Sequence, residues 1–217
     1  MKKLIFTGLI AALLLACAAC AGGQALPEEE PPAAQSGGGE VSEQSAGASE
    51  SAPDGAARAI IVYFSRSGNT EAVAREIQRQ TGAELFALEP ENPYPDDYSE
   101  LLELARQQKQ DNARPSLAET PDLDGCATVY IGYPIWHGDM PMVLYSFLES
   151  CDLSGKTIAP FCTSGGSGLS GTDEAIRAQA ADAEMTAGLH VPGADAAGAE
   201  AAVAEWLAGI GAESPAA

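Results

Sequence analysis

Apolar residues along this chain gather into short continuous runs at 59–64, 83–88, 127–132 and 157–161, with a weaker run at 185–191. Runs of this kind, bounded by turn residues, read as strands buried on both faces. The segments between them switch to helical spacing. Val73 and Ile77 mark a first helix that Gly82 is placed to end, and Tyr98, Leu101, Leu102 and Ala105 mark a second. Leu144, Phe147 and Leu148 mark a third, with Pro141 in its first turn, and Ile176 sits in a weak fourth. Val203, Trp206, Leu207 and Ile210 fall at i, i+3, i+4 and i+7 in the last. Strands alternating with helices in this way build a parallel sheet covered on both faces, and right-handed crossovers make it doubly wound. Pro160 lacks a ladder donor and is expected near the end of its strand.

In an open parallel sheet, ligands bind outside the carboxyl ends of the strands, where the winding reverses. Three predicted loops fall there, at 65–70, 133–139 and 163–171. The first, Ser65-Arg66-Ser67-Gly68-Asn69-Thr70, leads from a buried strand into a helix. Hydroxyls, a side-chain amide and free backbone N–H groups therefore meet at the positive end of a helix dipole. That combination suits a phosphate; the alternative is a serine-rich helix cap with no ligand. Arg66 is the one cation nearby. In the second loop Trp136 follows a strand end, where a core role is not expected. Its flat face suits stacking on a ring, the alternative being packing against the third helix. The third loop, from Thr163, is rich in glycine and hydroxyls and carries no aromatic residue as far as Gly171.

The chain opens with Met1-Lys2-Lys3, an apolar run and Cys17, a pattern of export signal too short to span a bilayer comfortably. Leu14-Leu15-Ala16-Cys17 resembles a bacterial lipoprotein processing box, with Cys20 as the alternative acceptor; an ordinary secretory signal with incidental cysteines is the other reading. Residues 1–20 are thus read as the leader. Residues 21–57 contain no aromatic residue, Lys or Arg and read as a disordered acidic tether. The stretch from Arg58 onward is long enough for one domain with its own core. With 31 acidic against 11 basic residues and a formal net charge of −20, nucleic acid is a poor partner and an anionic membrane surface repels the domain. Cys126, Cys151 and Cys162 match no metal-site spacing.

Taken together, the three loops, with Gly132-Tyr133-Pro134-Ile135-Trp136-His137-Gly138-Asp139 as the second, resemble the three flavin mononucleotide (FMN) loops of the flavodoxins. The stretches Asn92-Pro93-Tyr94-Pro95-Asp96-Asp97-Tyr98 and Ala113-Arg114-Pro115 resemble the exported, lipoprotein-type members. The resemblance implies an α/β domain over residues 58–211 with a short tail at 212–217. Its five-stranded parallel sheet would have the order 2-1-3-4-5. It implies FMN held without a covalent bond: Ser65, Arg66, Ser67, Gly68, Asn69 and Thr70 around the phosphate, with the Arg66 side chain turned to solvent. Pro134, Ile135, Trp136, His137 and Gly138 would lie beside the ring, and Thr163, Ser164, Gly165 and Gly166 at its pyrimidine edge. Gly138 supplies a peptide free to reorient. Asp139 and the negative field disfavour an anionic reduced flavin, and His137 either touches the ring edge or lies exposed. Long-known electron-transfer flavodoxins carry an aromatic residue in the third loop. Without one, the second flavin face is either open to a small substrate or covered by Tyr94 or Tyr98.

Cys162 then sits at the mouth of the crevice, as a buried small hydrophobe or as a redox thiol. Cys126 and Cys151 are expected at the opposite end of the sheet, where an oxidising compartment allows a disulfide. His190 carries no pattern above that of a surface residue. The implied function is a monomeric, membrane-tethered, extracytoplasmic electron carrier serving a redox protein or a small acceptor such as a quinone. Its rivals are an FMN-dependent NAD(P)H:quinone-type reductase and a binding or scaffold lipoprotein that makes no use of flavin.

Overall fold

The computed structural model describes residues 58–212. The proposed leader with Cys17 and Cys20, the tether, and all of the tail beyond Ala212 lie outside those residues. Within them the order is β1 (Arg58–Tyr63), α1 (Asn69–Thr81), β2 (Glu84–Ala87), α2 (Tyr98–Gln110), β3 (Cys126–Pro134), α3 (Met142–Ser150), β4 (Thr157–Ser164), α4 (Thr172–Gln179), β5 (Glu184–Met185), β6 (Leu189–Pro192) and α5 (Glu200–Gly209). The strands pair in parallel in the order β2-β1-β3-β4-β5, and β6 also pairs with β4. The doubly wound sheet expected from the alternation is therefore present, and the helix punctuation follows local chemistry. Gly82 ends α1 in the left-handed region at φ 70°, and the Asp97 carboxylate caps the amides of Ser99 and Glu100 at the start of α2.

Alternation along each strand sends side chains to two cores. Ile60, Val62, Val129, Ile131 and Ile158 pack with Val143, Leu144, Phe147 and Ile176 of α3 and α4. Ile61, Tyr130, Ala159 and Phe161 pack with Val73, Ile77, Val203 and Trp206 of α1 and α5. On α2 only Leu101 and Ala105 are buried; Tyr98 and Leu102 are exposed, because this helix touches the core along a narrow stripe.

The predicted fifth strand is two strands, and Pro160 is the reason. Contrary to expectation it stands in the middle of β4, opposite Ile131. Ile158 accepts a hydrogen bond from Thr186 N (3.0 Å), so its backbone faces the fifth strand. Alternation turns the donorless nitrogen of Pro160 the same way. Pairing stops there: β5 covers residues 157–158 of β4, and β6 resumes opposite Phe161. In the gap, Ala187 O accepts from the Trp206 indole at 2.8 Å, and Gly188 passes so close that a Cβ would lie 3.4 Å from the proline ring.

Phe161 sets a second steric condition, because its ring lies directly over Gly132 on β3. A Cβ at Gly132 would sit 2.1 Å from the ring. Since Phe161 is completely buried, the ring has little room to give. Gly132→Ala is expected to cost about 1–3 kcal/mol, read as a lower denaturant midpoint with an unchanged slope.

Candidate functional site

β1, β3 and β4 are adjacent and end at one rim, and the loops that leave them are bonded to one another. Phe64 N donates to Gly132 O (2.9 Å), Ile135 N donates to Thr163 O (2.9 Å), and the Thr70 and Thr163 hydroxyls meet at 2.9 Å in a buried contact. The three predicted loops therefore converge.

In the first loop Gly68, at φ 83°, starts α1 without a side-chain cap. Among the described residues none of the amides from Ser67 to Thr70 has a hydrogen-bond partner. Ser65 Oγ is buried and unpartnered. Asn69 reaches toward Gly193, where a Cβ would fall 2.9 Å from its Nδ2, so the glycine leaves the amide its space. Ser67 and Gly68 are exposed, and Thr70 is buried in its contact with Thr163. An orphaned buried hydroxyl beside a run of free amides fits a phosphate. Arg66 is not turned loose into solvent: its guanidinium donates to Pro95 O (3.0 Å) and pairs with Asp96 (2.8 Å).

The second loop is a tight hairpin. Trp136 and Asp139 exchange both backbone hydrogen bonds, at 2.8 and 3.0 Å, and the two residues between them, His137 and Gly138, have φ of 50° and 71°. Positive φ at both central positions defines a type I′ turn, so the freedom of Gly138 serves the turn itself. Pro134 and Ile135 are half-buried at the exit of β3. Helix α2 grips the hairpin from outside. His137 Nε2–H donates to Leu102 O (3.1 Å), and Lys109 Nζ donates to His137 O (2.8 Å) while lying 3.5 Å from the Asp139 carboxylate. His137 is exposed. Asp139 is not a bare charge, since it also accepts from Met140 N (2.9 Å) and from the Tyr145 hydroxyl (3.0 Å).

Trp136 is half-buried at the rim, neither sunk in the core nor detached. It stands edge-on to Phe64 (5.4 Å, 89°) and Tyr94 (5.2 Å, 87°), the favoured T-shaped geometry. Tyr94 is buried behind it and donates to Gln108 Oε1 at 3.0 Å; Tyr98 is 70% exposed. Tyr94 is thus held in place by its hydrogen bond and by burial beside Trp136, whereas Tyr98 stands in solvent. Phe64 and Tyr94 also wall a cavity of about 560 Å³ next to the first loop, with Ser65, Leu88, Glu89 and Pro93.

In the third loop Thr163 and Ser164 are buried, while Gly165 and Gly166 are exposed. Ser164 Oγ accepts from the amides of Gly166 (3.1 Å) and Ser167 (3.0 Å) and meets His190 Nε2 at 2.8 Å. His190 is thus no idle surface residue. Tyr133 and Thr172 tie the far end of the loop at 2.8 Å. Cys162 is buried, its thiol pushed up to about 12 by burial, which marks it as an inert hydrophobe. Cys126 and Cys151 are free thiols. The disulfide expected between them is not formed: Cys126 is buried in the core at the start of β3, and the thiol of Cys151, which caps α3, lies against the Ser150 hydroxyl.

Sequence reading missed His190 and Lys109. Lys109 had one signal, as one of only two lysines between residues 58 and 212. His190 had none, since its partner depends on where the fifth strand breaks. Among the described residues no group of His, Cys, Asp and Glu is arranged to hold a metal ion, and no helix is long and apolar enough to cross a membrane.

The flavodoxin family model matches residues 58–210, and the chain belongs to the flavodoxin family. It is similar to a structure of flavoprotein type from Bacteroides eggerthii, at 26% identity and a TM-score of 0.63, over 72% of this chain and 99% of that one. A second, from Bacteroides uniformis, gives 26% and 0.63 over 70% and 97%. A flavoprotein from Lactobacillus acidophilus, solved in complex with FMN, shares the fold at 22% identity and a TM-score of 0.57, over 70% of this chain and 99% of that one. No curated protein matches the chain.

The phenols around the second loop give a pH test. Burial first, then the Asp139 charge, pushes Tyr145 up to about 12, and burial pushes Tyr94 up to about 12. A raised phenol favours the folded state below the unfolded value near 10 and loses that contribution as the pH climbs to the folded one. Stability is expected to hold up to about pH 10 and to fall through about pH 12. Tyrosinate absorbance of these two residues should then appear together with unfolding. Ionisation near pH 10 with the fold intact would contradict the assignment.

Proposed function

We propose that the chain binds FMN at this rim and works as a membrane-tethered, extracytoplasmic electron carrier. The observation that carries the reading is the first loop, where a buried hydroxyl without a partner and a run of unbonded amides face the start of α1. When bound, FMN supplies the redox chemistry, and the protein supplies position and electrostatics.

Ser65, Thr70, Asn69 and the amides of Ser67 to Thr70 receive the phosphate with neutral donors and the helix dipole. Arg66 stays with Asp96 and gives no direct charge. Trp136 offers its ring as a stacking surface, stiffened by Phe64 and Tyr94. Thr163, Ser164, Gly165 and Gly166 border the pyrimidine edge, and Pro134, Ile135, His137 and Gly138 form the side wall. The lysine at 3.5 Å offsets part of the Asp139 charge, so the local electrostatic penalty on an anionic reduced flavin is smaller than the sequence alone suggests.

Carriage is favoured over a reductase that takes NAD(P)H, because the cations around the rim are engaged. Arg66 holds Asp96, Lys109 holds His137 O and approaches Asp139, and Arg114 holds Glu149. A dinucleotide's phosphates would find no free basic cluster among the described residues there. The acceptor is a redox protein or a small molecule such as a quinone, and the protein acts as a monomer held to the membrane through Cys17 or Cys20.

The test is a titration of the full chain with FMN, followed by quenching of flavin fluorescence and by visible absorbance. Equimolar binding is expected. Ser65→Ala should weaken it by about 10–100-fold, the range for a hydrogen bond to a charged group, and Trp136→Ala by about tenfold. No binding by the wild-type chain defeats the proposal. Turnover of NADH or NADPH with a quinone would favour the reductase over the carrier. For the tether, labelled fatty acid should enter the wild-type chain, and Cys17→Ser or Cys20→Ser, whichever removes the acceptor, should abolish the label. An unlabelled wild-type chain sinks the anchor.

A further inference from the structure

The third loop has four glycines between Thr163 and Thr172, with positive φ at Gly166, Gly168 and Gly171 and at Ser170. So permissive a sequence loses much chain entropy on adopting one shape, and its anchors must hold it there. The principal anchor at its near end is Ser164. That hydroxyl has two lone pairs and one proton. Both lone pairs are engaged by the amides of Gly166 and Ser167, at 3.1 and 3.0 Å. The Ser164 proton therefore has one acceptor left, His190 Nε2 at 2.8 Å, and the imidazole proton belongs on Nδ1.

From this the geometry points to His190 as the positioning residue of the cofactor rim. By taking the Ser164 proton, it turns the oxygen's lone pairs to the Gly166 and Ser167 amides and holds the loop in the form that receives the pyrimidine edge. The topology supports this arrangement. His190 lies opposite Cys162 in the β4–β6 ladder, two residues from Ser164 and on the same face, a diagonal neighbour within side-chain reach. An apolar residue at His190 would leave the Ser164 proton without its acceptor, and the hydroxyl would rotate to find another. It would then release a loop amide. The role at the flavin rests on the FMN reading above, but the relay from His190 to the two amides exists without any ligand.

The experiment is carried out on the full chain, first without FMN. Nitrogen NMR at about pH 8, where an ordinary imidazole is neutral, is expected to show His190 protonated on Nδ1 and bare on Nε2. Exchange of the Gly166 and Ser167 amides should quicken by about tenfold in His190→Leu and in Ser164→Ala, the loss of one hydrogen bond's worth of protection. The double variant should be no worse than either single, while core amides of β3 stay protected. His190→Gln, which keeps an acceptor at comparable reach, should restore slow exchange. In the FMN titration the two singles should weaken binding by about tenfold, with His190→Gln near wild type. A proton on Nε2, unchanged exchange in His190→Leu, or equal damage from Gln and Leu overturns the relay. If His190→Leu does not fold, the tautomer and the Ser164→Ala exchange still decide. A wild-type chain that binds no FMN defeats the proposed function alone, and the exchange comparison continues to judge the relay.

Discussion

The contact between the Thr70 and Thr163 hydroxyls, 2.9 Å apart and almost wholly shielded from water, is the joint on which the rim depends. Thr70 belongs to the helix that follows β1 and Thr163 to β4, two strands separated by β3 in the sheet. The bond exists because α1 crosses the sheet, touching β1, β3 and β4 in turn. It fixes the positive end of that helix against the third loop. Such a bond contributes only about 1 kcal/mol net, but leaving either hydroxyl alone there costs about 1–3 kcal/mol. The first and third loops cannot separate cheaply. The second is then captured from both sides, by Phe64 on one and the Ile135–Thr163 bond on the other.

A chain of net charge −20 meets a difficulty in receiving any phosphate, and the rim meets it without spare cations. Arg66 leans away to Asp96, and Lys109 and Arg114 are committed around the second loop. What remains is short-ranged: free amides at the head of α1, equivalent to about half a positive charge, and hydroxyls in a partly shielded place. The wider negative field is screened beyond about 8–10 Å in ordinary salt, whereas these donors act in contact. Local dipoles can therefore win against the global charge.

The fold was legible in the sequence wherever burial wrote a period. Ile60, Ile61 and Val62, then Val129 and Ile131, are buried from both sides and read as strands without ambiguity. Gly82 announced the end of the first helix. The meeting of the three loops was legible because they leave parallel strands at one end, and β1, β3 and β4 are neighbours in the sheet. Pro160 misled, because the cost of a missing donor is avoided here by breaking the neighbouring strand and not by ending its own. Tyr98 and Leu102 misled as well, since apolar residues at helical spacing do not say how wide a stripe the core will accept. The grip of Lys109 and Leu102 O on the hairpin is a contact between distant segments, one through a backbone carbonyl, and no local pattern encodes it.

The break at Pro160 has consequences that reach the rim. A continuous fifth strand would have to run past a residue that offers it no donor, and an unpaired carbonyl in a buried ladder is costly. By stopping at Met185 and restarting at Leu189, the chain satisfies Ala187 O with the Trp206 indole and slips Gly188 over the proline ring. The second piece, β6, is then free to take its own register on β4, and that register brings His190 beside Cys162 and within reach of Ser164. A one-residue slip would turn the imidazole to the other face of the sheet, among α1 and α5. The proline thus determines which side chain reaches the third loop, although it lies in the middle of the sheet. Restoring a donor at position 160 would remove the reason for the break but would not by itself close it. Gly188 would still lie against Leu169, where a Cβ would come within 2.9 Å, and Trp206 would still hold Ala187.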